Sequence, residues 1–145
     1  MRVWHYRLLP YLPDAQFKGQ LRELYAIKRD WGTKGRTNHL LINRVMLYPK
    51  SHLYSYAVLY AEEYERRYNK SQEKLIQEFA DFAGEDAALV LEPFPDWHDL
   101  GYLRVCMANV YEKYAYALGS SKVSGSAWSR MVIGYRNITG MNYHI

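Results

Sequence analysis

Along most of this chain the apolar residues recur at helical spacing, not in strand-like alternation. Successive residues of a helix turn by about 100°, and Phe17, Leu21, Leu24 and Tyr25 then share one face. This predicts a helix over roughly 14–29, with Asp14 after Pro13 as its N-cap. Gly32 and the stretch GTKGRTN read as its end. NHLLINRVMLY at 38–48 is apolar throughout and fits a short helix or a buried strand equally well. Pro49 and Ser51 mark a fresh start. SHLYSYAVLYAEEYERRY then carries Leu53, Ala57, Tyr60 and Tyr64 on one stripe to about Tyr68. Ser71 reads as the cap of a third helix, with Leu75, Phe79 and Phe82 inward and Gly84 as its stop. Residues 84–101 hold Pro93, Pro95 and Gly101 and read as a surface loop. YLRVCMANVYEKYAYAL is the last clear helix, stopped at Gly119. The Gly/Ser-rich tail beyond it packs in part, through Trp128, Met131, Val132 and Ile133. The expectation is one compact all-α domain over residues 1–145, with long loops and a partly packed tail. No repeat or low-complexity tract interrupts it.

Composition narrows the class. Nearly half of the 145 residues are apolar, which suits a globular chain with a real core. Cys106, the single cysteine, falls among apolar helix positions and reads as core, so no internal disulfide and no cysteine metal cluster is expected. No run of about twenty apolar residues is present to span a membrane. Pro10, Pro13 and Asp14 interrupt any signal-peptide core, so a cytoplasmic protein without membrane contact is expected. Fifteen tyrosines and four tryptophans suit half-buried helix positions, or a surface on which bases stack.

Charge adds an orientation. Residues 1–50, 51–100 and 101–145 carry net charges of +7, −7 and +4. A basic N-terminal third fits a polyanion partner, although the acidic middle could neutralise it across the fold. On the first helix, Lys18, Arg22 and Arg29 share one flank of the apolar stripe and Glu23 takes the other. Ala15, Gly19 and Ala26 form a strip of small residues between them, where another backbone can come close. A carboxylate repels DNA, so Glu23 beside a phosphate-holding flank points to a catalytic acid or base. The plain alternative is a solvated helix face.

Other chemistries have weaker support. The five histidines, His5, His39, His52, His98 and His144, form no close ligand pair, so no zinc site is expected. Glu62, Glu63 and Glu65 could hold Mg²⁺, but a solvated acidic face explains them. GTKGR lacks the phosphate-loop pattern, yet Lys34 and Arg36 within it could touch DNA.

Arg2, then Arg22-Glu23-Leu24 on a helix that follows Asp14, resembles the pyrimidine-dimer DNA glycosylase family, the phage-type endonuclease V enzymes and their bacterial relatives. The opening MRVWHYRLLPYL and the segment YPKSHLYSYAVLYAEEYERR resemble the bacterial branch. The resemblance covers roughly residues 1–68, and YEKYAY at 111–116 echoes an aromatic-basic C-terminal motif. It implies a small helical monomer that needs no metal or cofactor and acts on damaged double-stranded DNA. A flipped nucleotide is attacked at C1′ by the N-terminal α-amine, a Schiff base forms, the base leaves, and β-elimination nicks the strand. Glu23 would stabilise the sugar cation and assist proton transfer, while Arg2 and Arg22 grip phosphates. His52 stands where the family carries a histidine, in a packing role or as a phosphate contact. An α-amine titrates near about 7.7–8.0, far below lysine, which suits a nucleophile at neutral pH.

Two departures qualify the resemblance. Arg2 is too large for the usual removal of methionine, so Met1 itself would carry the amine. Ala26 stands where the phage enzymes place an arginine, which leaves the substrate contact there open. The expected function is a bifunctional glycosylase and abasic-site lyase, with Met1 and Glu23 catalytic. Lys18, Arg29, Lys34, Arg36 and His52 join Arg2 and Arg22 as DNA-binding candidates. A non-catalytic helical nucleic-acid-binding module is the alternative, and a metal-dependent nuclease a distant third.

Overall fold

The computed structural model describes residues 1–145 as an all-α fold without strands. Five α-helices run α1 Asp14–Lys34, α2 Lys50–Tyr68, α3 Glu73–Ala83, α4 Leu100–Ala115 and α5 Gly125–Thr139. A 3₁₀ segment at Tyr6–Tyr11 precedes α1, and another at Ile42–Leu47 joins α1 to α2. The α2–α3 hairpin packs against α1, and α4 packs against α5. The 3₁₀ segment Tyr6–Tyr11 is wedged between α2 and α5. One contiguous core runs from Val3 to Tyr135 and draws on every α-helix.

Several elements differ from the sequence-based expectation. Helix α1 continues past Gly32 to Lys34, because the residue that ends it is Gly35, with φ +69°. That left-handed conformation favours glycine. Asp14 is the first helical residue, not the cap, and no side chain caps α1. Its carboxylate instead pairs with Lys18 at 3.2 Å and takes the Tyr68 hydroxyl. The buried face of α1 is Phe17, Gln20, Leu24, Ile27 and Asp30, so Leu21 and Tyr25 lie at its margin and two polar residues lie at its centre. Residues 42–47 form neither a regular helix nor a strand but a 3₁₀ segment burying Ile42 and Val45. Ser71 caps nothing, since α3 begins at Glu73 without a side-chain cap. Gly84 does end α3, at φ +59°.

The connection from 84 to 99 is not merely a surface loop. Phe94, Trp97 and His98 turn inward and are buried. Helix α4 is shorter than expected, ending at Ala115, and it is not the last. Helix α5 follows, with Ser124 as its cap: the Ser124 hydroxyl accepts the Ala127 N–H at 3.1 Å. Trp128, Met131 and Tyr135 bury its inner face, and Ile133 stays exposed.

Candidate active site

Residues 1–5 form neither helix nor strand and pair with no backbone ladder; side chains hold them instead. The Arg2 N–H donates to Glu23 Oε2 at 3.0 Å. Gln20 Nε2 donates to the Arg2 carbonyl at 2.8 Å, and Gln20 Oε1 accepts the Trp4 N–H at 2.9 Å. The Tyr102 hydroxyl donates to the Val3 carbonyl at 2.7 Å, and the Tyr56 hydroxyl lies 2.6 Å from the Trp4 carbonyl. His98 Nδ1 accepts the Tyr6 N–H at 3.1 Å. Helices α1, α2 and α4 and the connection before α4 therefore converge on six residues of chain.

Beside this segment opens a cavity of about 700 Å³. Met1, Arg2 and Trp4 line one part, and Ala15, Gln16, Gly19 and Glu23 of α1 line its floor. The far wall is Asn109 and Lys113 of α4, the turn Ser120–Ser124, and Ala127 and Arg130 of α5. Ala15, Gly19 and Glu23 are spaced by four residues, one row along the helix. The buried Gln16 Oε1 has no hydrogen-bond partner within the protein. Arg130 is tethered by donating to the Leu12 carbonyl at 3.0 Å, and Lys122 by donating to the Tyr114 carbonyl.

Glu23 is electrostatically poised. Burial pushes its carboxyl above the ordinary range. The Arg2 N–H, the nearby α-ammonium of Met1 and the guanidiniums of Arg2 and Arg22 pull it back only in part. A half-buried carboxylate next to an amine and two cations can steady a developing positive charge or move a proton.

A family model for pyrimidine dimer DNA glycosylase matches residues 1–76, just over half of the 145-residue chain. The chain belongs to the pyrimidine dimer DNA glycosylase family. No curated protein and no solved structure matches it. Membership in this glycosylase family makes DNA the substrate class and DNA repair the setting. No helix is long and apolar enough to cross a membrane.

Within this family member, Met1, Arg2 and Glu23 come together at the cavity. Arg22 reaches its edge: a Cβ added at Gly19 would lie 3.9 Å from Arg22 Nη2. Lys18, Arg29, Lys34, Arg36 and His52 do not line it. Lys18 pairs with Asp14, and Arg29 Nε with Asp30 at 3.3 Å. Lys34 and Arg36 are exposed at and just beyond the end of α1. His52 turns its Nδ1 to the Phe94 N–H at 3.0 Å, and burial lowers its pKa. Its observed contacts are those of a residue fastening the 84–99 connection to α2.

Sequence reasoning missed Gln20, Tyr56, Tyr102 and His98, which hold the first residues, and the whole far wall of the cavity. Polarity in the middle of an apolar stripe was the available signal for Gln20. The far wall lies outside the matched region: Asn109 and Lys113 sit on a helix readable from spacing but with nothing to aim them here, and residues 120–130 lie in a stretch whose Gly/Ser content reads as tail.

Proposed function

We propose that this chain is a bifunctional DNA glycosylase and abasic-site lyase of the bacterial branch of its family. It acts on pyrimidine dimers or a related damaged base through a Schiff base on the Met1 α-amine. The observation that carries the reading is the 3.0 Å bond from the Arg2 N–H to Glu23 Oε2 at a cavity that Met1 also lines. It ties the carboxylate to the residue next to the amine.

The chemistry then runs as follows. The neutral amine attacks C1′ of a nucleotide turned out of the duplex. The C1′–N glycosidic bond breaks, and its electron pair leaves with the base, which takes up a proton. The new C1′–N⁺ adduct gives up a proton, the sugar C1′–O4′ bond opens with O4′ protonated, and C1′ becomes an iminium. Loss of the C2′ proton then drives β-elimination: the C3′–O bond breaks and the 3′ phosphate leaves, nicking the strand. Glu23 balances the positive charge growing on the sugar and accepts or returns protons. Arg2 and Arg22 hold the flanking phosphates as charge-assisted partners. These steps use an amine and a carboxylate and call on no metal.

Borohydride reduction on a duplex carrying one abasic site tests this. The expected product is a covalent adduct whose peptide map ends at the Met1 amine, formed equally in excess EDTA. An adduct on a lysine, or none, would falsify the Met1 assignment. Loss of nicking in EDTA with recovery on Mg²⁺ would favour a metal nuclease. The non-catalytic binding module, the second reading, predicts that residues added before Met1 leave DNA binding intact with no trapping by either form. The lyase predicts trapping that such an extension abolishes.

A further inference from the structure

We infer that Gln20 is a positioning residue that fixes the chain behind the nucleophile and the Glu23 carboxylate in one frame; this rests on the reading of Met1 and Glu23 given above. Gln20 is fully buried on the α1 face it shares with Phe17, Leu24 and Ile27. An apolar residue there would pack without needing partners, whereas an unpaired buried amide costs roughly 1–3 kcal/mol. Gln20 is fully paired. Its Nε2 donates to the Arg2 carbonyl at 2.8 Å and reaches Glu23 Oε2 at 3.4 Å. Its Oε1 accepts the Trp4 N–H at 2.9 Å and lies 2.9 Å from the Tyr56 hydroxyl. In an extended chain the carbonyl of one residue and the N–H two residues on face the same side. A single primary amide matches both, as a neighbouring strand would.

No other side chain does this for both partners of the reaction. The hydrogen bonds that Tyr102, Tyr56 and His98 make to the first residues go to the backbone of residues 3, 4 and 6, and none reaches Glu23. Glu23 itself holds the Arg2 N–H, and Gln20 holds the carbonyl of the same residue. The amine stands one residue before this clamp. Its distance from a sugar C1′ therefore depends on how firmly residue 2 is held, and a misplacement of about 1 Å can cost 10²-fold in rate. The N–H offered to Glu23 also favours the ionised carboxylate.

Gln20→Leu and Gln20→Glu separate positioning from mere filling of the core. Glutamate keeps the size but, when ionised, cannot donate to Arg2 and sets a like charge beside Glu23. In both variants single-turnover trapping should slow by at least about 10-fold, while affinity for a duplex with a reduced, unreactive abasic site stays within about twofold. The acid limb of the pH–rate profile should move to higher pH, further in Gln20→Glu than in Gln20→Leu. Amide exchange at Trp4 should quicken at least about 10-fold in free Gln20→Leu, which removes the acceptor of the Trp4 N–H, and less in Gln20→Glu, which keeps a side-chain oxygen there. A purely structural role predicts a lower melting temperature with an unmoved acid limb, and that result would overturn the inference. So would parental rates in both variants, or unchanged exchange at Trp4 in Gln20→Leu. Should Gln20→Leu fail to fold, Gln20→Glu carries the rate, affinity and pH readouts, since it loses the bond to the Arg2 carbonyl. If the parental protein does not trap DNA, the Met1 reading has failed, and exchange at Trp4 alone then decides whether Gln20 holds the segment.

Discussion

Arg22 and Glu23 are neighbours in sequence that α1 sends to different surroundings. Arg22 is exposed with its guanidinium over Gly19, and Glu23 is half-buried against the Arg2 N–H. Arg22→Ala should weaken binding to every duplex and make the salt dependence shallower by about one counterion. Glu23→Gln should bind as well or better, because a negative charge near phosphates is gone, while single-turnover cleavage falls by at least about 10²-fold. Binding titrations and quenched-flow cleavage on both variants check this; a parental cleavage rate for Glu23→Gln would make Glu23 a surface charge only. The pH dependence has a definite sign. Burial raises the Glu23 carboxyl, so activity that needs the carboxylate should fade on the acid side above the usual glutamate value of about 4.3. The same shift means the fold holds that proton more tightly than the unfolded chain does. Ionising it thus costs stability as pH rises through this window, and Glu23→Gln should melt no lower than the parent at pH 7. Glu23 was legible in the sequence because a carboxylate facing a basic flank across a strip of small residues needs a reason. Gln20 was not, because hydrophobic periodicity treats a glutamine within the stripe as a gap, and only the position of residues 2–4 supplies its partners.

Helices α1 to α4 were readable from spacing, as were the ends of α2 at Tyr68 and of α3 at Gly84, whereas the end of α1 and the whole of α5 were not. Glycine is a poor helix former, so Gly32 reads as a stop, yet α1 runs two residues beyond it to Lys34 and ends where Gly35 takes φ +69°. Helix α5 was hidden by glycines and serines that serve as its cap and its contact surface. Two helical glycines show how differently one residue type is used. At Gly134, a Cβ would strike the Tyr11 ring and lie 2.9 Å from Tyr11 Cβ, so α5 can approach the Tyr6–Tyr11 segment only with glycine there. At Gly19 a Cβ would meet nothing nearer than 3.9 Å, and the open space is the cavity. Gly134→Ala should therefore destabilise by about 1–3 kcal/mol through overpacking. Gly19→Ala should stabilise α1 by roughly 0.5–1 kcal/mol and still slow cleavage several-fold by narrowing the cavity floor. Melting curves alongside single-turnover rates decide it. A Gly19→Ala protein with a higher melting temperature and an unchanged rate would mean that DNA does not enter along this row.

At the scale of the whole molecule, the first and last thirds of the chain meet across the cavity. The basic first third supplies Met1 and Arg2, and the basic last third supplies Lys113, Lys122 and Arg130. The acidic middle, at −7, contributes none of the lining residues. The charge asymmetry visible in the sequence is thus sorted in space, which a linear reading of thirds suggested without showing which residues would face each other. Lys122 and Arg130 already donate to backbone carbonyls, so removing either would disturb packing as well as charge. Lys113 is the cleaner probe. It is exposed, lines the cavity and has no carboxylate within ion-pair distance. If a DNA strand lies between the two walls, Lys113 neutralises a phosphate and releases about one counterion on binding. Lys113→Ala should then weaken binding to damaged and undamaged duplexes alike and make the plot of log affinity against log salt shallower by about one. Lys74, exposed on α3 and absent from the cavity lining, carries the same charge change as a control, and Lys74→Ala should leave the slope unchanged. Equilibrium binding of both variants at several salt concentrations measures the difference. Equal slopes for the two variants would show that the α4–α5 wall only closes the fold, and that the strand is held by the α1 side alone.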